Sequence, residues 1–92
     1  MTSAVKENNN PKRRLSRQPT DIDRVVGTKI RQARKEQGLT QEQLANEVGL
    51  TFQQIQKYEK AVNRVSAGLL YEFSIVLSKP VTFFFGLDDD TA

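Results

Sequence analysis

One short pattern occurs twice in the middle of this chain, and it constrains the fold more than any other stretch. Leu39-Thr40-Gln41-Glu42-Gln43-Leu44 is followed eleven residues later by Leu50-Thr51-Phe52-Gln53-Gln54-Ile55. Each copy runs apolar residue, threonine, two spacers, glutamine, apolar residue. That order is the wording of a helix start. The threonine hydroxyl can accept a bond from the backbone N–H three residues on, and the glutamine can reach back to the threonine N–H. The flanking apolar pair can close over the turn as a staple. Gly49 stands just before the second start, and glycine tolerates the positive φ common at a helix end. The pattern therefore predicts a helix of about two turns, a tight turn and another helix. Two short helices joined in this way can set the second one into a DNA major groove.

The flanking sequence completes an all-α reading. A first helix is expected from about Asp21 to Gln37, capped by Thr20 or Asp21, with an apolar stripe of Ile22, Val25, Val26, Ile30 and Ala33. Gly27 interrupts that stripe, and it weakens a helix unless a neighbour approaches closely there. The second helix, Gln41 to Val48, buries Leu44, Ala45 and Val48. The third runs from Phe52 to about Lys60. Counting about 100° per residue from Ile55 as the inward reference places Gln53, Lys57 and Lys60 outward, with Gln56 at the edge of that face. A fourth helix should start at Ser66, bury Leu70, Phe73, Val76 and Leu77, and stop at Lys79-Pro80. Val81 to Phe85 is expected to add one more turn. Phe83, Phe84 and Phe85 cannot all point inward from it, so they are candidates for a self-association surface. A small core wrapped around them is the alternative.

Charge divides the chain. Residues 1–20 carry five basic residues against one acidic, whereas residues 21–92 carry nine against ten. The composition of residues 1–20 reads as a disordered basic arm, with Lys12, Arg13, Arg14 and Arg17 suited to a polyanion partner or to mere solubility. Residues 87–92 form a short acidic tail. With no cysteine and no histidine, the chain lacks the commonest nucleophile, general base and metal ligands. No enzyme, metal or cofactor is expected. Apolar runs fall far short of the ~20 residues that span a bilayer. A cytoplasmic protein without a membrane partner is the expectation.

The outward face of the third helix bears amides and ammonium groups and no carboxylate. Glutamine can pair with adenine edges and lysine with guanine acceptors. Phe52 is expected to be partly buried or to meet a thymine methyl group. Gln41, in the first turn of its helix, could dock a phosphate, and a plain surface glutamine is the alternative. Asn63 and Arg64, in the link after the third helix, are phosphate candidates, although Asn63 could simply make a turn.

Ile30-Arg31-Gln32-Ala33-Arg34-Lys35, Gly38 to Ala45, Val48-Gly49-Leu50-Thr51, Ile55 and Tyr58-Glu59-Lys60 resemble the phage-repressor and Cro type of helix-turn-helix domain, the XRE family. The likeness extends from residue 22 to about residue 86. It implies a compact five-helix, lambda-repressor-like domain over residues 21–86 that binds pseudo-palindromic double-stranded DNA as a homodimer. It implies base contacts at Phe52, Gln53 and Lys57, which the face adds to with Gln56. It also implies a phosphate contact at Gln41, and Thr51 and Lys60 join Asn63 and Arg64 as phosphate candidates. An ion pair between Arg34 and Glu59 is implied as well. Ala61 departs from the family, which often has glycine there, and alanine is strained in a left-handed cap. The function expected is a sequence-specific transcriptional regulator, a repressor. The alternative is a protein-interaction module with a protein partner, such as an antitoxin.

Overall fold

The computed structural model describes residues 20–87. The arm residues Lys12, Arg13, Arg14 and Arg17, and the acidic run Asp88-Asp89-Asp90, lie outside the described residues. Four α-helices follow in order: α1 (Asp21–Glu36), α2 (Gln41–Val48), α3 (Phe52–Glu59) and α4 (Ala67–Val76). A 3-10 helix, Val81–Phe85, closes the described chain. Four α-helices and one tight 3-10 turn thus stand where the family likeness implied five helices.

The repeated pattern makes the same structure twice. Thr40 Oγ1 accepts from Gln43 N at 3.0 Å, and Thr40 N donates to Gln43 Oε1 at 2.8 Å. Thr51 and Gln54 repeat the exchange at 3.2 and 2.9 Å. Each exchange satisfies two backbone N–H groups that a bare helix end would leave orphaned. Gly49 ends α2 at φ 72°, so the chain turns within three residues and α3 packs across α2. Thr20 caps α1 with Asp23 as its reciprocal partner.

The core is built from one stripe per helix. Ile30, Leu44, Ile55, Phe73, Leu77 and Phe84 are fully buried. Ile22, expected in the α1 stripe, is instead half exposed and lines a surface groove with Val65, Leu70 and Phe85. Helix α4 stops at Val76, earlier than the proline signal implied. Ser78 takes a left-handed φ of 57°, and Lys79 N donates back to Ser74 O at 3.0 Å. The 3-10 turn then sends Phe83 and Phe84 into the core at 6% and 0% exposure. These two side chains are therefore corrected as interface candidates. Of the three aromatics only Phe85, 37% exposed, faces solvent.

Gly27 has its close neighbour. A Cβ built there would lie 2.6 Å from the Tyr58 carbonyl oxygen and 2.7 Å from that of Glu59. The missing side chain lets the C-terminal end of α3 rest directly on α1.

Candidate nucleic-acid interface

Helix α3 is held on one side and bare on the other. Its inner side carries Ile55, fully buried, with Glu59 buried at the last turn. Its outer side presents Gln53, Lys57 and Lys60 to solvent, with Gln56 half-buried beside them. These four side chains make no hydrogen bond or ion pair among the described residues. Phe52 is 42% exposed at the first turn, so its ring is neither core nor fully solvated. The outer side thus has donors and acceptors without internal partners and no carboxylate among them.

The fixed side is organised by one carboxylate. Glu59 Oε2 accepts from Arg34 Nε at 2.6 Å, and Glu59 Oε1 accepts from Arg34 Nη2 at 3.1 Å. The two side chains are 9% and 2% exposed. Arg34 Nη1 donates to Leu39 O at 2.9 Å, which ties in the turn between α1 and α2. A buried charge pair offsets its desolvation only when the remaining donors and acceptors are bonded. That condition holds here: no buried side-chain nitrogen or oxygen among the described residues lacks a partner. The pair therefore fixes the tilt of α3 relative to α1.

Gln41 opens α2 and is partly buried. Its Nε2 donates to Glu59 Oε1 at 3.1 Å, a link that the sequence alone did not reveal. Thr51 is exposed, but its backbone N–H and hydroxyl are both committed to Gln54 within the cap. Among the phosphate candidates, Lys60 and Asn63 are exposed.

Arg64, also a phosphate candidate, is exposed and has an internal partner. Its Nε donates to Asp23 Oδ2 at 2.9 Å, across 41 residues of sequence. The same carboxylate oxygen accepts from Thr20 N at 2.8 Å and Thr20 Oγ1 at 3.0 Å. The Thr20 backbone N–H holds the Asp23 carboxyl below its usual value of 3.8; partial burial opposes this, and the Thr20 hydroxyl and Arg64 reinforce it. The only sequence hint was an acid at the third position of a capped helix facing a basic linker.

Between these anchors the chain leaves α3 through Ala61, at φ 61° and buried. Val62 N and Asn63 N both donate to Lys57 O, at 2.8 and 3.3 Å, so that carbonyl is satisfied although no glycine makes the turn. Among the described residues no cluster of histidine, cysteine or carboxylate side chains could hold a metal. No described helix is long and apolar enough to cross a membrane.

Comparison with known proteins identifies the family of this helical domain. The family model for the helix-turn-helix matches residues 30–84. The chain belongs to that family, in its XRE/Cro form. It is 51% identical over 69 residues to an uncharacterized HTH-type transcriptional regulator of Sinorhizobium medicae (strain WSM419), a match covering 75% of this chain and 50% of that protein. It is 47% identical over 64 residues to an uncharacterized transcriptional regulator in the ATPase CF(0) region of Rhodospirillum rubrum, covering 70% and 59%. The chain spans about half the length of the curated relatives it matches. Among solved structures it resembles the clp gene regulator ClgR from C. glutamicum, with a TM-score of 0.69 and 19% identity over 78% of this chain and 94% of that one. At that identity the likeness is one of fold.

Proposed function

We propose that this domain is a sequence-specific DNA-binding transcriptional regulator, a repressor that acts by occupying its operator and performs no chemistry on it. The observation that carries the reading is the uncommitted outer side of α3. Gln53 and Lys57 point away from the core, no carboxylate shares their face, and internal bonds hold the helix from behind. A helix so presented fits the major groove, with Gln53, Gln56 and Lys57 against base edges and Phe52 against a thymine methyl group. Lys60, Asn63 and the start of α2 lie at the C-terminal end of that helix, where a phosphate would pass. The relatives' names as transcriptional regulators support the same reading.

A dimer on a pseudo-palindromic operator completes the proposal. With Phe83 and Phe84 in the core, one apolar surface open to a second copy lies around Ile22 and Phe85, which flank a groove of about 220 Å³. A second reading, a protein-interaction module such as an antitoxin, draws on α4, where Tyr71 and Ile75 are each 61% exposed. Co-purification of a partner bound through that face would favour it, and it is compatible with DNA binding.

Selection from random duplexes tests the main reading. The expected result is one enriched half-site repeated about 10–11 base pairs away, with affinity falling steeply as salt rises. A pool that yields no motif overturns sequence-specific regulation.

A further inference from the structure

We infer that Glu59 is a positioning residue for backbone contact: its buried carboxylate fixes which end of the Gln41 amide can meet a DNA phosphate. The inference rests on the DNA-binding reading and goes beyond it, because it assigns a favourable role in binding a polyanion to a negative charge.

The geometry is specific. Gln41 is the first residue of α2, where backbone N–H groups have no helical partner of their own. These groups and the helix dipole favour an anion there, and a side-chain donor beside them adds to the attraction. A glutamine amide can rotate to show either its nitrogen or its oxygen, and its surroundings decide which. Glu59 Oε1 lies 3.1 Å from Gln41 Nε2. A carboxylate accepts and cannot donate, so it selects the nitrogen end and would repel the oxygen. One amide hydrogen is held by Glu59, and the second is the donor we assign to a phosphate at the start of α2. Glu59 is itself held by Arg34, so the preset amide inherits the stiffness of the buried pair. The network joins α1, the turn at Leu39, the first residue of α2 and the last residue of α3. Setting the backbone contact and fixing the base-reading helix are consequently done by the same carboxylate.

Two views of Glu59 then differ in sign. Long-range electrostatics says that neutralising an acid near DNA strengthens binding. Positioning says that it weakens binding, because Gln41 becomes free to turn its oxygen outward. A double-mutant cycle on the full chain separates them, using Glu59→Gln, Gln41→Met and the double variant, each checked for native circular dichroism. Binding to the selected duplex is measured at several salt concentrations. Gln41→Met should weaken binding about five- to tenfold with little change in salt slope, since a neutral amide releases no counterion. Glu59→Gln should weaken it more in the native background than once Gln41 is Met, where only the loosened hold of Arg34 on α3 is left to lose. Equal losses in both backgrounds, or tighter binding by Glu59→Gln, would overturn the inference.

Gln41→Asn guards against poor folding of Glu59→Gln. It keeps an amide at the helix start but cannot reach Glu59, so it should bind as weakly as Gln41→Met. Native affinity in this variant also overturns the inference. The Gln41 side-chain amide signals in ¹H–¹⁵N spectra of the free protein give a readout that needs no DNA. A primary amide always shows two proton signals, because its C–N bond rotates slowly; the one bonded to Glu59 should lie downfield, and the spacing should shrink towards that of a solvated glutamine in Glu59→Gln. If those signals behave so but the protein selects no duplex, it is the DNA-binding reading that fails and takes the phosphate role with it. If a duplex binds but the cycle shows no coupling, the positioning role alone fails.

Discussion

The two sides of α3 obey opposite rules. The inner side is overdetermined: Ile55 in the core, Gly27 admitting the Tyr58 and Glu59 carbonyls, and a carboxylate with three bonds from two side chains. The outer side is underdetermined: Gln53, Lys57 and Lys60 are exposed and make no side-chain hydrogen bond or ion pair among the described residues. A side chain that contributes nothing to folding is free to be selected for what it binds. A helix eight residues long can afford such a face only because its other side is held so tightly. Substitutions on the inner side should therefore change stability, and those on the outer side should change recognition.

The largest effect expected is from Arg34→Leu. It strands the Glu59 carboxylate with Gln41 alone and removes the bond to Leu39 O. Breaking a buried pair from one side costs about 3–5 kcal/mol. In a domain of this size that lowers the melting midpoint by more than about 12 °C. A loss below about 1 kcal/mol, the range of exposed pairs, would show that water reaches the pair and that α3 is held mainly by its apolar contacts.

Gly27→Ala comes next, and two effects compete in it. Helix propensity alone favours alanine by about 1 kcal/mol. The new methyl group, however, meets two backbone oxygens at 2.6 and 2.7 Å, and backbone cannot rotate away as a side chain can. Overpacking of this kind costs about 1–3 kcal/mol and occasionally more. The clash should win, with a net loss of up to about 2 kcal/mol in urea unfolding and a parallel loss of DNA affinity as α3 is pushed off α1. A stability gain would mean that the two helices lie further apart.

The outer side should behave the other way. Lys57→Ala and Gln53→Ala are expected to leave stability within about 0.5 kcal/mol. Each should cost about 1–3 kcal/mol of binding to the selected site and relax preference at one base position. If either variant instead lowered the melting midpoint while binding all duplexes alike, the division between the sides of α3 would collapse.

What the sequence disclosed follows from how local each signal is. The capping boxes at Thr40 and Thr51 were legible because all their atoms lie within three residues of each other. The outer face of α3 was legible because helical period alone decides which side a residue takes. Gly27 was legible as a weakness in α1, but not which backbone it admits. Arg34 and Glu59, 25 residues apart, were joined by family likeness and not by any local pattern. The Gln41–Glu59 and Arg64–Asp23 bonds were missed, since each depends on the angle at which separate elements pack. Phe83 and Phe84 were offered to an interface because a helical turn cannot bury three neighbours. The tighter 3-10 turn buries two and exposes Phe85.

A smaller effect concerns the exit from α3. The Thr20 backbone N–H, its hydroxyl and Arg64 together hold the Asp23 carboxyl low against the opposing effect of burial. Its folded-state pKa lies below the usual value of 3.8, so its contribution to stability is complete above that value. The contribution is lost as pH falls from there through the depressed folded-state value. Asp23→Asn should lower stability modestly at pH 7, and the gap from the native protein should close in acid below that window. A gap that stayed constant with pH would assign the effect to the amide's altered cap geometry and not to charge. The exposed pair of Glu36 and Lys79, with Glu36 also lowered, should behave in the same direction.

The smallest effect expected is at Ala61, where three terms nearly cancel. Its left-handed φ of 61° costs a residue with a Cβ about 1–2 kcal/mol, which Ala61→Gly would relieve. Glycine gives back about 0.4–1 kcal/mol by loosening the unfolded chain. It also removes a buried methyl group, since Ala61 is 6% exposed, at about 0.8 kcal/mol. The sum lies near zero, so thermal unfolding should shift by only a few degrees either way. A gain above about 1.5 kcal/mol would mean that the methyl group contributes nothing and that strain dominates. A loss of that size would mean that the methyl group is part of what clamps the inner side of α3. In that case alanine at this turn is a packing choice, made at the same junction where Gly27 omits a side chain to let the backbone in.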